Sequence, residues 1–398
     1  MGESVVRRRN RRRVVIGTVA ATVSALVVTS CGPTLSMITP PWSEPQAVVK
    51  SKLFGKKNVT FDEIPAIKVK EGRIQQVTVV GPDGERIGGQ PVNNGSGWQI
   101  DGSELDFDTK YTVSVIALDM RGNETRTTET FRTFYPENEL VASTNIEPGA
   151  TYGVGMPIIM TFNSPVTNKA EIEEKLVVET NADKPVVGAW NWEGDSQVTY
   201  RPKKYWPAKT KVKIKADFKG VNAGGDFYPL DNKRETFKIG DEIIMVQDSA
   251  AKVMTVRKNG KLLRKMPSST GKPGYETRSG TKVIMSKEQH VVMDAASLGV
   301  DEDDPEYYRL DVYWAMRVTW SGEYIHSAPW SVGSQGYANV SHGCINLAPS
   351  NATWLFNLSR IGDVLTVKNT GRSQDLGNGW TVWEESWQDW KAGSALNA

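Results

Sequence analysis

Two stretches of this chain, separated by about one hundred residues, carry the same pair of strand-like patterns. Residues 109–115 alternate polar and apolar side chains, and residues 209–215 repeat that alternation. Each stretch is followed by the triplet Glu-Thr-Phe, at residues 129–131 and 235–237. Strict alternation is the pattern of a β-strand with one buried face. A tandem repeat of such strands predicts two β-sandwiches of the immunoglobulin type, although the Cys…Trp…Cys signature of true immunoglobulin domains is absent.

Composition supports a β-rich fold that is held together without disulfides. The chain has 36 Gly, 20 Pro and many short Val/Ile/Thr runs, which are typical of strands joined by frequent turns. Its two cysteines are Cys31 and Cys344, and Cys31 lies in a predicted signal segment, so no disulfide can staple the domains. The net charge of +2 argues against nucleic acid as a partner.

The first thirty-one residues have the parts of a secretory signal. Arginines crowd residues 7–13, and an uncharged stretch follows at residues 14–28. Residues 28–31, Val-Thr-Ser-Cys, resemble a bacterial lipobox, which implies lipidation of Cys31 and attachment to the outer face of the plasma membrane. An uncleaved N-terminal anchor and an ordinary signal cleaved elsewhere are the alternatives.

Composition and strand-like patterns divide the rest of the chain into a linker, two repeated modules, a third β-rich domain and a C-terminal extension. Its length predicts two or three folded domains. The modules are interpreted as spacers, because no group of polar residues converges in either of them. The predicted segments are a signal peptide with lipobox (1–31), a linker (32–48), two immunoglobulin-like domains (49–138 and 139–240), a third domain (241–368) and a Trp-rich extension (369–398).

Cys344 lies in the string Ser341-His342-Gly343-Cys344, and two of the three histidines of the chain, His326 and His342, are close to it in sequence. An isolated thiol beside imidazoles is typical of a nucleophile with its base. Alternation along a strand places His342 and Cys344 on one face, and Gly343 permits a close backbone approach to a developing oxyanion. A buried structural thiol is the alternative for Cys344, and simple packing is the alternative for each histidine.

These strings resemble the L,D-transpeptidase (YkuD-type) signature, His-x-x-x…Ser-His-Gly-Cys-x-x, and the resemblance extends over the whole predicted exported chain. It implies a β-rich catalytic domain at 241–368 with one or two short helices. It implies that Cys344 is the nucleophile, that His326 is the base and that the Ser327 carbonyl orients the His326 ring. His342 and Asn346 support the site in this interpretation, with Gly343 and Cys344 amides as oxyanion donors. The substrate-binding positions implied by the resemblance are Met293, Tyr308, Gly322, Trp330, Ser341 and Asn346.

The resemblance also implies the reaction. Cys344 would form a thioester with a peptidoglycan stem peptide and pass it to the amine of a neighbouring stem, which makes a 3→3 cross-link. Carbapenems would acylate the same thiol, no metal or organic cofactor would be needed, and the protein would act as a monomer. Hydrolysis of the thioester, as in an L,D-carboxypeptidase, and a non-catalytic wall-binding scaffold are the alternatives.

Four tryptophans in the tail are spaced three, four and three residues apart, at positions 380, 383, 387 and 390. On a helix, this spacing forms a single stripe of indoles. We expect the stripe to pack against the rest of the protein, because an exposed stripe of this size favours aggregation. Stacking on the sugars of glycan strands is the alternative.

Overall fold

The computed structural model describes residues 46–62 and 64–397. The predicted signal segment, the predicted lipid site Cys31 and most of the predicted linker lie outside the described residues. Strands dominate the described chain, so the prediction of a mainly β fold is confirmed. Within the described ranges, no helix is both long enough and apolar enough to cross a membrane.

The first module is a sandwich of two four-stranded sheets. Its strands are β1 (Val48–Lys50), β2 (Ile67–Lys70), β3 (Gly72–Val80), β4 (Arg86–Ile87), β5 (Gly89–Val92), β6 (Gly97–Ile100), β7 (Lys110–Asp119) and β8 (Glu124–Arg132). One sheet has the order β1-β2-β6-β5 and the other β4-β3-β7-β8. Apolar residues of both sheets, such as Ile67 and Val113, meet in one core from which water is excluded.

The second module repeats this architecture. Its elements are β9 (Asn138–Glu139), β10 (Ala142–Thr144), β11 (Thr151–Tyr152), β12 (Ile158–Phe162), α1 (Lys169–Glu173), β13 (Leu176–Thr180), β14 (Gly188–Glu193), β15 (Gln197–Pro202), β16 (Lys211–Ala216), β17 (Phe227–Tyr228) and β18 (Lys233–Ile239). The two main sheets have the orders β10-β12-β15-β14 and β11-β18-β16-β13, and β17 pairs with β9.

The repeated sequence strings occupy equivalent strand pairs in the two modules. In the first, β7 and β8 pair antiparallel with Tyr111 opposite Phe131. In the second, β16 and β18 pair antiparallel with Val212 opposite Phe237. All four side chains are buried, so the alternation read from the sequence corresponds to core-facing residues.

The third domain packs one helix against its strands. Its elements are β19 (Ile243–Asp248), β20 (Val253–Lys258), β21 (Lys261–Pro267), β22 (Gly280–Val283), β23 (Ser286–Asp294), β24 (Arg309–Arg317), β25 (Tyr324–Ser327), β26 (Ile345–Leu347), α2 (Pro349–Leu358) and β27 (Val364–Lys368). The sheets have the orders β21-β20-β19-β27-β22 and β23-β24-β25-β26. Leu355 and Phe356 of α2 share a core with residues of both sheets.

Helix α2 begins at the predicted residue but ends earlier than predicted. Pro349 is its first residue, and Ala348 before it provides no side-chain cap. The helix ends at Leu358 because Ser359 is extended, whereas the sequence placed its end at Gly362. Gly362 instead lies in the following turn at φ 87°, where a Cβ would lie 2.8 Å from the Cβ of Met156 in the second module. The glycine is therefore needed for close contact between the two domains.

The C-terminal extension packs against the second module. Only residues Trp387–Ala392 form a helix, α3, so the prediction of a single helical stripe of four indoles is wrong. Trp390 is nevertheless 1% exposed, and its indole N–H donates to the Ala189 carbonyl at 3.0 Å. Trp383 donates to the Gly155 carbonyl at 2.8 Å. The expectation that these indoles pack inward agrees with this arrangement.

Arg201 of the second module is the centre of this contact. Its guanidinium carbon lies 5.1, 5.3 and 4.9 Å from the ring centroids of Trp383, Trp387 and Trp390. One of its terminal nitrogens donates to the Glu385 carbonyl at 2.9 Å. The extension thus surrounds a buried cation with aromatic rings and a carbonyl, an arrangement that stabilises the charge away from water.

Candidate active site

Two parallel strands bring the predicted nucleophile and base together. His326 lies on β25, Cys344 immediately precedes β26, and the register pairs His326 with Asn346. The turn before β26 is fixed by Ser341, whose hydroxyl accepts the Gly343 N–H at 3.1 Å and donates to the Cys344 carbonyl at 2.7 Å. Gly343 adopts φ 123°, a conformation that side chains disfavour. The local sequence therefore sets the position of the thiol through one hydroxyl and one glycine.

A cavity of about 160 Å³ collects most of the predicted site residues. Three residues that the sequence did not indicate, Leu310, Val312 and Val340, give it an apolar wall. Gly322, Ser327 and Gly343 are not among the residues that line it. The predicted residues that line the cavity are Met293, Tyr308, His326, Trp330, Ser341, His342, Cys344 and Asn346.

His326 is 3% exposed and its ring is held by one main-chain acceptor. Nδ1 lies 2.9 Å from the carbonyl oxygen of Ser327. Because a carbonyl only accepts, Nδ1 carries the proton and Nε2 keeps its lone pair. Burial lowers the pKa of His326 to about 4, although the hydrogen bond to Ser327 opposes that shift. The imidazole is therefore neutral at neutral pH and able to accept a proton.

The Cys344 thiol is partly buried and is held by the peptide groups around Glu323. Its sulfur donates to the Gly322 carbonyl at 3.5 Å, and the main chain of Tyr324 also hydrogen-bonds it. Burial raises the pKa of this thiol to about 12. Among the described contacts, none is a hydrogen bond between Cys344 and His326. The resting pair is thus a neutral thiol and a neutral imidazole that face one cavity.

His342 makes contacts that the sequence did not reveal. Its Nε2 lies 2.6 Å from a carboxylate oxygen of Glu306, which also accepts from the Lys272 ammonium at 2.5 Å. The ring stacks at a tilt on Tyr308, with centroids 5.0 Å apart, and Tyr275 meets it edge-on at 4.8 Å. Lys272 and His342 together lower the pKa of Glu306. His342 therefore connects the nucleophile loop to the Lys272–Glu306 ion pair, whose residues do not line the cavity.

Two further polar groups point to how a substrate could be held. The Oδ1 of Asn346 is buried without a hydrogen-bond partner, while its Nδ2 donates to the Ser331 hydroxyl at 3.1 Å. An unpaired buried acceptor is costly unless a ligand satisfies it. Burial raises the pKa of Tyr308 to about 12, so its hydroxyl remains a hydrogen-bond donor at neutral pH. The predicted oxyanion donor Gly343 already donates its N–H to Ser341 in this structure.

No group of three or more His, Cys, Asp or Glu side chains in residues 46–62 and 64–397 is arranged to hold a metal ion. His290, the third histidine, lies apart from the cavity on β23. Its Nε2 lies 2.6 Å from a carboxylate oxygen of Asp311 on β24. It is therefore a natural comparison residue for the two histidines that line the cavity.

Comparison with known proteins agrees with this site. Residues 241–367 match a family model described as the L,D-transpeptidase catalytic domain, and residues 56–222 match one described as a bacterial Ig domain. The chain is 34% identical to L,D-transpeptidase 2 of Mycobacterium tuberculosis over 86% of this chain and 83% of that protein. This chain belongs to the L,D-transpeptidase family. The catalytic and immunoglobulin-like domains expected from the sequence are thereby confirmed.

Two further comparisons each match a little over half of the chain. L,D-transpeptidase 1 of M. tuberculosis is 42% identical over 57% of this chain and 84% of its own length. A solved structure of the L,D-transpeptidase LdtMt1 in complex with imipenem is 40% identical, with a TM-score of 0.50, and matches 58% of this chain and 100% of its own. Family membership supports a transpeptidase that acts on peptidoglycan stem peptides.

Sequence reasoning missed the residues that surround the predicted set. Glu306 lies in the acidic stretch 301–306, and its distance of 36 positions from His342 gave no sign of their contact. The apolar wall residues Leu310 and Val312 lie on β24, in a part of the chain for which the sequence predicted neither a strand nor a place in the site. Only the three-dimensional fold reveals these contacts.

Proposed function

We propose that this protein is a cysteine-dependent L,D-transpeptidase that forms 3→3 cross-links between peptidoglycan stem peptides. The observation that carries this proposal is the partly buried Cys344 thiol beside a buried, neutral His326 on one cavity wall. A thiol nucleophile divides one amide exchange into two easier acyl transfers, through a thioester. The family supplies the substrate class, and these two side chains supply the chemistry.

In the first half-reaction, the thiol sulfur attacks the carbonyl carbon of the third stem residue, a meso-diaminopimelate, in the amide that joins it to the terminal D-Ala. The S–C bond forms while the thiol proton passes to Nε2 of His326, and the tetrahedral oxyanion accepts hydrogen bonds from the Cys344 amide and the Tyr308 hydroxyl. The C–N bond then breaks, and the terminal D-Ala leaves as an amine with the proton from His326. The Ser327 carbonyl holds the imidazole in the tautomer that these transfers require.

In the second half-reaction, the side-chain amine of a neighbouring stem attacks the thioester. His326 accepts a proton from that amine, the new C–N bond forms, and the proton returns to the sulfur as the S–C bond breaks. Leu310, Val312 and Val340 form an apolar wall of the cavity, and an acceptor stem that covers this wall would exclude water from the thioester and favour the amine as acceptor. Met293 and Trp330 line the same cavity and are proposed to contact the stem peptide.

The test uses a stem tetrapeptide and intact-mass analysis of the products. We expect a dimer one D-Ala lighter than two tetrapeptides, and no product from Cys344→Ala. Release of tripeptide without dimer would instead establish L,D-carboxypeptidase activity, and the absence of both products with a folded protein would favour the scaffold alternative. A peptidoglycan dimer that still forms with Cys344→Ala would contradict the proposal.

Acylation by imipenem provides a second test, since a relative has been solved with this carbapenem. We expect one imipenem adduct on Cys344. His326→Ala should slow adduct formation more than His342→Ala, because only His326 accepts the thiol proton. His290→Ala is the matched control, because that histidine pairs with Asp311 outside the cavity. Equal losses for all three variants would show that the assigned roles are wrong.

We also propose that the protein is exported and anchored by lipid at Cys31, with the two immunoglobulin-like modules as spacers that extend a monomeric catalytic domain toward the wall. The basic, apolar and small-residue segments before Cys31 support this proposal. Metabolic labelling with a fatty-acid analogue should mark the wild-type protein and not Cys31→Ala. Equal labelling of both forms would contradict lipidation at this position.

A further inference from the structure

A network of three charged side chains, two of them buried and one partly buried, lies behind the nucleophile. Lys282 is 1% exposed and Glu323 is 4% exposed, and the Lys282 ammonium lies 2.6 Å from one oxygen of the Glu323 carboxylate. The other oxygen accepts from the Arg278 guanidinium at 3.2 Å and from its main-chain N–H at 3.0 Å. Lys282 also donates to the Arg278 carbonyl at 2.7 Å. Both carboxylate oxygens therefore have charged partners.

Glu323 lies between the two peptide groups that hold the thiol. Gly322 before it supplies the carbonyl that accepts from the sulfur, and Tyr324 after it supplies the other main-chain hydrogen bond. The Glu323 side chain also lies against the nucleophile turn, because a Cβ on Gly343 would be 3.7 Å from its Cγ. The carboxylate that closes the network thus fixes the segment that orients the sulfur.

The network reaches the C-terminal extension. The Arg278 Nε donates to the Asp375 carboxylate at 2.7 Å, and the main chains of Ser279 and Gln374 hydrogen-bond at 2.7 Å. A buried ion pair contributes little stability relative to apolar residues of the same volume, because desolvation offsets the attraction. Its place beside the thiol, rather than stability, is what distinguishes this network.

We propose that Lys282, Glu323 and Arg278 are positioning residues for the nucleophile, which fix the peptide segment around the sulfur and balance the charge that faces it. This proposal rests on the proposed function of Cys344. The Glu323 charge raises the pKa of the thiol, whereas the Lys282 charge lowers it. The two partners therefore act on the thiolate in opposite directions, which a purely structural role would not do.

Other titratable groups also face the thiol and remain unchanged in the test below. They are His326 and Tyr324 on β25, Tyr308 before β24, and His342 in the nucleophile turn.

The experiment measures how fast iodoacetamide alkylates Cys344 across a range of pH, because only the thiolate reacts. Mass analysis of the Cys344 peptide in the full-length protein separates this thiol from Cys31. Glu323→Gln should speed alkylation about tenfold at a given pH, and Lys282→Met should slow it about tenfold, as a charge change beside a thiol shifts its pKa by about one unit. The double variant Lys282→Met with Glu323→Leu should return toward the wild-type rate.

Lys287→Met is the matched control. Lys287 is a half-buried lysine of the same domain whose ammonium donates to the Phe356 and Ser359 carbonyls, away from the thiol. It should leave the alkylation rate unchanged at every pH. Rates that change in the same direction for Glu323→Gln and Lys282→Met, or that do not change, would overturn the proposal.

Asp375→Asn keeps the proposal testable if a buried substitution prevents folding. The Asp375 side chain is 61% exposed, so its loss should not unfold the domain. It removes a negative charge from the far end of the network, and we expect a smaller acceleration of about twofold. An unchanged or slower rate would count against the network. Failure of imipenem to label Cys344 in the wild type would instead refute the proposed function, so the two failures are distinguishable.

Discussion

Replacing Trp390 by alanine should destabilise the protein more than any other single tryptophan substitution in the extension. The indole is 1% exposed, it donates to the Ala189 carbonyl at 3.0 Å, and it lies 4.9 Å from the Arg201 guanidinium. Truncating a buried tryptophan costs about 3–5 kcal/mol, from lost burial and the cavity that remains. That loss corresponds to a fall in melting temperature of roughly 4–7 °C if the domains melt together as one unit of about 350 residues, at an unfolding entropy of about 2.1 cal/mol/K per residue.

Differential scanning calorimetry of the full-length protein is the assay, and Trp320→Ala is the matched control. Trp320 is 52% exposed, so the same substitution should change the free energy of unfolding by less than about 1 kcal/mol. Iodide quenching adds an independent measurement, because packed indoles resist the quencher with or without peptidoglycan fragments. Equal melting temperatures for the two variants, or tail indoles that become protected only when glycan is added, would refute the packing of the extension against the second module.

Three further results are expected. Arg201→Lys should lower the free energy of unfolding by about 1–2 kcal/mol, since lysine cannot reproduce the planar contacts with three indoles. Urea denaturation measures this free energy. Ser341→Ala should slow imipenem acylation about fivefold to tenfold, because the Gly343 N–H and the Cys344 carbonyl each lose a partner. Burial raises the pKa of Asp363 from 3.8 to about 7, so its contribution to stability is complete below pH 3.8 and lost as the pH rises through about 7. Asp363→Asn should therefore flatten the fall in melting temperature between about pH 4 and about pH 7.

The parts of the fold that the sequence predicted depend on local patterns. The alternation at residues 109–115 and 209–215 predicted strands because each apolar position faces a core, and β7 and β16 do bury those positions. Pro349 predicted the start of α2 because its fixed φ suits the first position of a helix. The end of α2 was misplaced, because Gly362 serves the contact with Met156 instead of ending the helix.

In the candidate site too, local sequence patterns predicted some residues, whereas the fold determines the positions of the others. His326, His342 and Cys344 were visible because rare residue types cluster near each other in the sequence, and the cavity brings them together. The carboxylates of Glu306 and Glu323 were not visible, because each meets its partner across 34 to 45 positions of the chain through the order of the strands. Such ion pairs follow from topology, and no local period signals them.

The charge state of the resting site bears on how the reaction begins. Burial keeps the Cys344 thiol and the His326 imidazole neutral, so the protein does not store a thiolate–imidazolium pair. A neutral thiol resists oxidation, because the thiolate is the reactive form. In the mechanism that we propose, proton transfer from sulfur to Nε2 becomes favourable only when a substrate carbonyl receives the negative charge in the same step. The thiol proton is engaged by the Gly322 carbonyl at 3.5 Å in the resting site, so the proposed transfer to His326 requires that this hydrogen bond be broken first.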